Sequence, residues 1–135
     1  MNEDEKYIQR CIDLAYLGQG KVAPNPMVGC VIVKDGIIIG EGYHENFGGS
    51  HAEINAIRNV GNDAAIQGAT IFVSLEPCTH FGKTPPCTLA ILALKPKRLV
   101  IGSRDTNPSV AGKGIDRLKR EGIEVVEGII EEECR

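Results

Sequence analysis

Two short stretches carry residue types that together could activate water on a metal. The first is Gly49-Ser50-His51-Ala52-Glu53. The second runs from Glu76-Pro77-Cys78 through Thr79-His80-Phe81-Gly82-Lys83 to Thr84-Pro85-Pro86-Cys87. His51, Cys78 and Cys87 offer one imidazole and two thiolates, ligand types that suit a tetrahedral Zn²⁺. Three protein ligands leave the fourth position to water, which is the catalytic arrangement, whereas a structural zinc site takes four. Glu53 is then the residue that moves protons. Two thiolates cancel the formal charge of the ion, so its water is less acidified than at an all-histidine site and a carboxylate base matters more. Such shuttling calls for a Glu53 pKa raised by burial.

H-x-E followed by P-C and a second Cys is the pattern of zinc-dependent base deaminases. Replacing a ring amino group by oxygen requires water to attack a weakly electrophilic ring carbon. Glu53 would take the water proton, deliver it to a ring nitrogen and then help protonate the departing ammonia. A plainer reading is a zinc-stabilised binding module in which Glu53 is an ordinary helix residue. No C-x-x-C occurs, which argues against a zinc ribbon or a thioredoxin-like motif, and the stretch from Thr79 to Pro86 is wide for a zinc knuckle.

Residues two apart on a helix do not share a face. His51 and Glu53 can converge only if Ser50 or His51 is the N-cap and the helix starts there, with Ile54, Ala56 and Ile57 on its apolar side. Cys87 follows Pro85-Pro86, at the expected first turn of another helix, where the N-terminus favours a thiolate. Two helix starts would then address one metal.

The elements that must hold these residues can be read in order. A helix is expected over 3–17, with Ile8, Cys11, Ile12 and Ala15 at helical spacing, Gly18 after it, and Asn2 with Glu5 as a capping pair. A buried strand over 28–34 turns at Asp35-Gly36 into a return strand over 37–41. Gly40, Gly42, Gly48 and Gly49 are expected to loosen the approach to His51. The zinc-bearing helix covers 51–60, a connection 61–68, and a second buried strand 69–75. Then come a helix over 87–95 stopped by Pro96, a strand over 98–102 parallel to its predecessor, a helix from about 112 to 121 and a strand over 122–126. This order indicates an α/β fold: a three-layer α/β/α sandwich with a mixed, roughly five-stranded sheet. Cys11 and Cys30 read as core residues.

Loops supply the remaining candidates. Ala23-Pro24-Asn25-Pro26 is more simply a rigid turn, although Asn25 could hydrogen-bond a polar ring. His44 could be a surface histidine or a substrate contact. Lys83 is either a solvated side chain or a phosphate or carbonyl ligand. Asp105 and Asn107 follow a strand's carboxyl end, the usual ligand crevice of an open α/β sheet, and the alternative there is an ordinary Asx-rich loop.

With 135 residues, the chain is expected to be one domain spanning 1–135. A hydrophobic content of 42% suits a soluble globular protein. A net charge of -3, a pI near 5.6 and the absence of Trp argue against a nucleic-acid surface. Five Cys without a leader pattern point to a reducing, cytoplasmic setting, and no apolar run has the length of a membrane span.

The chain resembles the cytidine-deaminase superfamily, and more closely the pyrimidine deaminase domain of bifunctional riboflavin-biosynthesis proteins. The matching segments are Ala23-Pro24-Asn25-Pro26 with Val28-Gly29, His51-Ala52-Glu53, Leu75-Glu76-Pro77-Cys78 to His80, Thr84-Pro85-Pro86-Cys87, Asn107-Pro108 and Val110 to Gly114. The resemblance implies hydrolytic deamination of 2,5-diamino-6-(5-phosphoribosylamino)pyrimidin-4-one to the corresponding uracil and ammonia. It implies one Zn²⁺ per chain on His51, Cys78 and Cys87, with Glu53 as proton shuttle. It also raises Asn25, His44, Lys83, Asp105 and Asn107 as contacts to the ring or phosphoribosyl group, and a homo-dimer or tetramer. Members usually continue into an NADPH-dependent reductase domain. That domain is expected to be absent here, separate or excised, so no nicotinamide site is expected. Deamination of another base, nucleoside or tRNA adenosine on the same fold is the enzymatic alternative.

Overall fold

The computed structural model describes residues 2–21, 27–45, 51–76, 87–103 and 113–129, leaving aside the side chains of Cys87 and Lys113. The first helix, α1 (Glu3–Tyr16), starts where expected. The Asn2 side chain accepts a 2.8 Å hydrogen bond from the Glu5 amide and so satisfies one of the orphan donors of the first turn. Strands β1 (Gly29–Lys34) and β2 (Ile37–Tyr43) form the predicted hairpin. Asp35 and Gly36 both have positive φ, 52° and 76°, as a two-residue hairpin turn that matches strand twist requires. The return strand extends two residues beyond the expected end and carries a bulge opposite Ile32 and Val33.

Next come α2 (Ala52–Val60), β3 (Thr70–Leu75), α3 (Cys87–Leu94), β4 (Arg98–Ser103), α4 (Lys113–Arg120) and β5 (Glu124–Val126). A short 3₁₀ turn over Asp63–Ile66, capped by Asn62, lies inside the connection between α2 and β3 and seats the fully buried Ile66. Periodicity over so few residues gives no signal for it.

Among the described residues the strands form one mixed sheet in the order β2-β1-β3-β4-β5. β1 is antiparallel to both β2 and β3, while β3, β4 and β5 are parallel. It follows that β2, β3 and β4 all point the same way. Their carboxyl ends, with the amino end of β1, make one end of the sheet.

Alternation divides the sheet residues between two cores. Val31, Val33, Phe72 and Val100 face Tyr7, Ile8, Cys11, Ile12 and Leu14 of α1. Cys30, Ile32, Ile71, Val73, Leu99 and Ile101 face the other way, against Ala52, Ala56, Ile91, Ile115 and Leu118 of α2, α3 and α4. Helices on both faces explain why the inner strands read as unbroken apolar runs, and give the three-layer sandwich expected from the sequence.

The glycines of β2 need a different account from the expected one. Gly40 and Gly42 do not loosen a loop; they lie in the strand beneath α2. A Cβ on Gly42 would stand 2.3 Å from the Ala56 amide nitrogen, and one on Gly40 2.7 Å from the Ala56 carbonyl oxygen. Bare backbone here lets α2 lie directly on the strand. Gly48 and Gly49 fall outside the described residues.

Candidate active site

The buried polar and charged side chains among the described residues are His44, Glu53, Ser74, Glu76, Thr88 and Ser103. All sit on, or next to, element ends that meet at the carboxyl end of β2, β3 and β4. Burying such groups is costly unless each is hydrogen-bonded. Among the described residues, no buried side-chain nitrogen or oxygen lacks a partner.

His51 is the N-cap of α2, in extended conformation (φ -70°, ψ 164°), which resolves the Ser50-or-His51 alternative. Its carbonyl accepts the Asn55 amide at 3.1 Å, but its imidazole makes no capping hydrogen bond. Because the helical turn starts only after His51, the rule that residues two apart on a helix face different ways does not apply to His51 and Glu53, the latter lying in the first turn and 4% exposed. Two side-chain amides fix α2 on the hairpin: Asn55 Nδ2 donates to the Tyr43 carbonyl at 2.8 Å and Asn59 Nδ2 to the Glu41 carbonyl at 2.6 Å. Neither was singled out from the sequence. Their i, i+4 spacing was the available signal, since it puts two donors on one stripe of the helix.

His44 is no surface residue. It is 3% exposed, its amide donates to the Val28 carbonyl at 3.0 Å, and its ring stands perpendicular to that of His51 with centroids 5.4 Å apart. A buried imidazole edge-on to the His51 ring restricts how that ring can turn.

Cys30 is fully buried beneath α2. Burial pushes its thiol well above the usual range, and Cys11 and Glu53 add to the shift. It stays a neutral core thiol, as expected, and is no competitor as a metal ligand. Cys11, also buried, places its sulfur 3.4 Å from the Phe72 carbonyl oxygen.

Cys87 opens α3, and α3 packs against α2, so the two expected helix starts are both present at this end. Cys78, Asn25, Lys83, Asp105, Asn107 and the Cys87 side chain lie outside the described residues. What is described fits a metal centre in its chemistry: an imidazole at the N-cap of α2, a second helix beginning at a cysteine, and a buried carboxylate two residues after the histidine.

Residues 1–103 match the family model described as the cytidine and deoxycytidylate deaminase zinc-binding region, a span that includes His51, Glu53, Cys78 and Cys87. The chain belongs to the cytidine and deoxycytidylate deaminase family. Zinc binding is thus a property of the family region the chain carries. Within the family, the chain is 51% identical over 133 residues to the chloroplastic riboflavin biosynthesis protein PYRD of Zea mays, covering 98% of this chain and 33% of that protein. It is 51% identical over 129 residues to a diaminohydroxyphosphoribosylamino-pyrimidine deaminase of Buchnera aphidicola subsp. Acyrthosiphon pisum, covering 96% of this chain and 86% of that one. The solved structure of Acinetobacter baumannii RibD superposes with a TM-score of 0.93 at 48% identity, over 97% of this chain and 36% of that chain. The deaminase family fold is therefore the three-layer arrangement described above. The chain spans about a third of the length of the longer relatives it matches.

Proposed function

We propose that the chain catalyses the hydrolytic deamination of 2,5-diamino-6-(5-phosphoribosylamino)pyrimidin-4-one, the pyrimidine step of riboflavin biosynthesis. What supports this reading above all is the Buchnera deaminase, alike at 51% over 86% of its length. His51, Cys78 and Cys87 would hold one zinc per chain. When bound, zinc supplies Lewis acidity toward water near neutral pH.

The chain's own residues supply the rest. Glu53, buried in the first turn of α2, accepts one proton of the attacking water and passes it to a ring nitrogen. It then takes the remaining proton from the hydroxyl added to the ring carbon and gives it to the amine, which leaves as ammonia while the carbonyl forms. His44 lines the same end of the sheet and is a contact for the ring as well as a neighbour of His51. Asn25, Lys83, Asp105 and Asn107 complete the binding of ring and phosphoribosyl group. In this reading residues 1–135 form one deaminase domain with no nicotinamide site, and the active form is a homo-oligomer.

The test is ammonia release from the phosphoribosyl pyrimidine, cytidine, deoxycytidylate, guanine and tRNA, assayed side by side with zinc-loaded protein. Turnover confined to the first is expected. Turnover of any of the others in its place would move the chain to another branch of the family. Cys87→Ala is expected to lose its zinc, and full metal content in that variant would contradict the ligand set.

A further inference from the structure

We infer that Glu76 is a positioning residue: from the end of β3 it fixes the chain that leads into Cys78 against both β4 and α4. The inference rests on the ligand reading proposed above. Nothing in the proton path uses Glu76, yet its side chain is 6% exposed. Its backbone N–H donates to the Ser103 carbonyl at 2.9 Å, which carries the β3–β4 ladder past the Leu75–Ser103 pair. Its Oε2 accepts the Ile115 amide at 3.4 Å. Ile115 lies in the first turn of α4, whose amides have no acceptor within the helix, and a carboxylate there is also favoured by the helix dipole.

One residue therefore grips the chain where it ends β4 and where it enters α4. Cys78 comes two residues later, and the intervening Pro77 has no N–H to donate. Glu76 is thus the last backbone donor ahead of the proposed ligand. A leucine of similar size would bury more readily, but it would leave the Ile115 amide without its acceptor.

Residues that orient metal ligands typically change metal affinity by about 10–100-fold when removed. Glu76→Ala is expected to weaken zinc binding on that scale, measured by competition with a chromophoric chelator on the whole chain. Glu76→Gln keeps an acceptor oxygen at the same reach and is expected to restore most of the affinity. The visible spectrum of the cobalt-substituted protein is expected to change in Glu76→Ala and return in Glu76→Gln. Leu118→Ala is the control, because it opens the core contact of α4 without touching Glu76; it should lower stability and leave zinc affinity as it was. Should Glu76→Ala not fold, Glu76→Asp carries the same comparison, since the shorter acid cannot reach Ile115.

Zinc held as tightly by the Glu76 variants as by the parent, while Cys78→Ala loses it, would overturn the inference and leave the ligand reading intact. Equal zinc loss in Leu118→Ala at matched stability would also overturn it, by reducing Glu76 to a general support of the fold. Zinc retained by Cys78→Ala would bring down the ligand reading, and the inference with it.

Discussion

The two ends of the sheet handle charge in opposite ways. At the carboxyl end of β2, β3 and β4, carboxylates and an imidazole are buried: Glu53, Glu76 and His44. At the other end, charges stay near solvent and pair across elements. Asp4 of α1 meets Arg98 of β4, and Arg98 also reaches Glu124 at 3.8 Å. Midway along the open edge, Arg10 pairs with Glu41. A pair as open to solvent as Arg10–Glu41 contributes little, whereas a buried carboxylate is tolerated only with partners in place. The difference teaches where to look for chemistry, because a fold has no stability reason to gather half a dozen buried polar groups at one end.

The sharpest way to break this contrast is at Glu53. Glu53→Ala is expected to keep fold and zinc while losing deamination by about 10²-fold or more, the range for removing a general acid–base. Single-turnover ammonia release together with metal analysis checks it. Undiminished turnover would make Glu53 a structural residue, and the two ends would then differ only in packing.

A pair of glycine substitutions sharpens the comparison. Gly42→Ala at the site end forces a Cβ into the backbone of α2. It should cost about 1–3 kcal/mol of stability, as overpacking does, and reduce kcat as well, because α2 carries His51 and Glu53. Gly36→Ala at the opposite end meets open space and suffers only from its φ of +76°. It should cost about 1–2 kcal/mol with activity unchanged. Urea unfolding and steady-state kinetics on both variants decide the matter, and equal loss of activity in the two would show that the site end is not specially sensitive.

The smallest effect is expected at the exposed edge. Arg10 and Glu41 are paired at 2.6 Å, with side chains 47% and 28% exposed. The hydrogen bond from Arg10 holds the Glu41 carboxyl below its ordinary 4.5, against a smaller opposing effect of burial. A carboxylate with a depressed folded-state pKa stabilises above its unfolded pKa, and that contribution fades as pH falls through the folded value. Arg10→Ala should therefore lower stability by less than about 1 kcal/mol at neutral pH. The difference from the parent should vanish in acid, well below pH 4.5. A difference that persists there would mean that packing of the arginine stem, not charge, stabilises the edge.

Much of this architecture was legible beforehand, for identifiable reasons. The hairpin was legible because Asp35-Gly36 is a local turn signal flanked by β-branched runs, and α1 because its apolar stripe and its Asn2 cap lie within one short window. The 3₁₀ turn at Asp63–Ile66 and the packing role of Gly40 and Gly42 were not. The first is too short to show a period, and the second depends on a helix that comes later in the chain. His44 was ambiguous for a similar reason, since nothing in Gly42-Tyr43-His44 says which element will cover it.

By itself the sequence determined the chemistry on offer: H-x-E, P-C and a second cysteine after two prolines are covalent facts about which donor types stand in which order. It also determined the layer pattern, since unbroken apolar strand runs alternating with helical periods of about three and a half are written residue by residue. Only the tertiary structure decided that His51, and not Ser50, ends the non-helical chain before α2, that Asn55 and Asn59 fix that helix to β2, and that Glu76 reaches across to α4. Those outcomes depend on groups far apart in the chain being brought within hydrogen-bonding distance, a condition that local propensity does not encode.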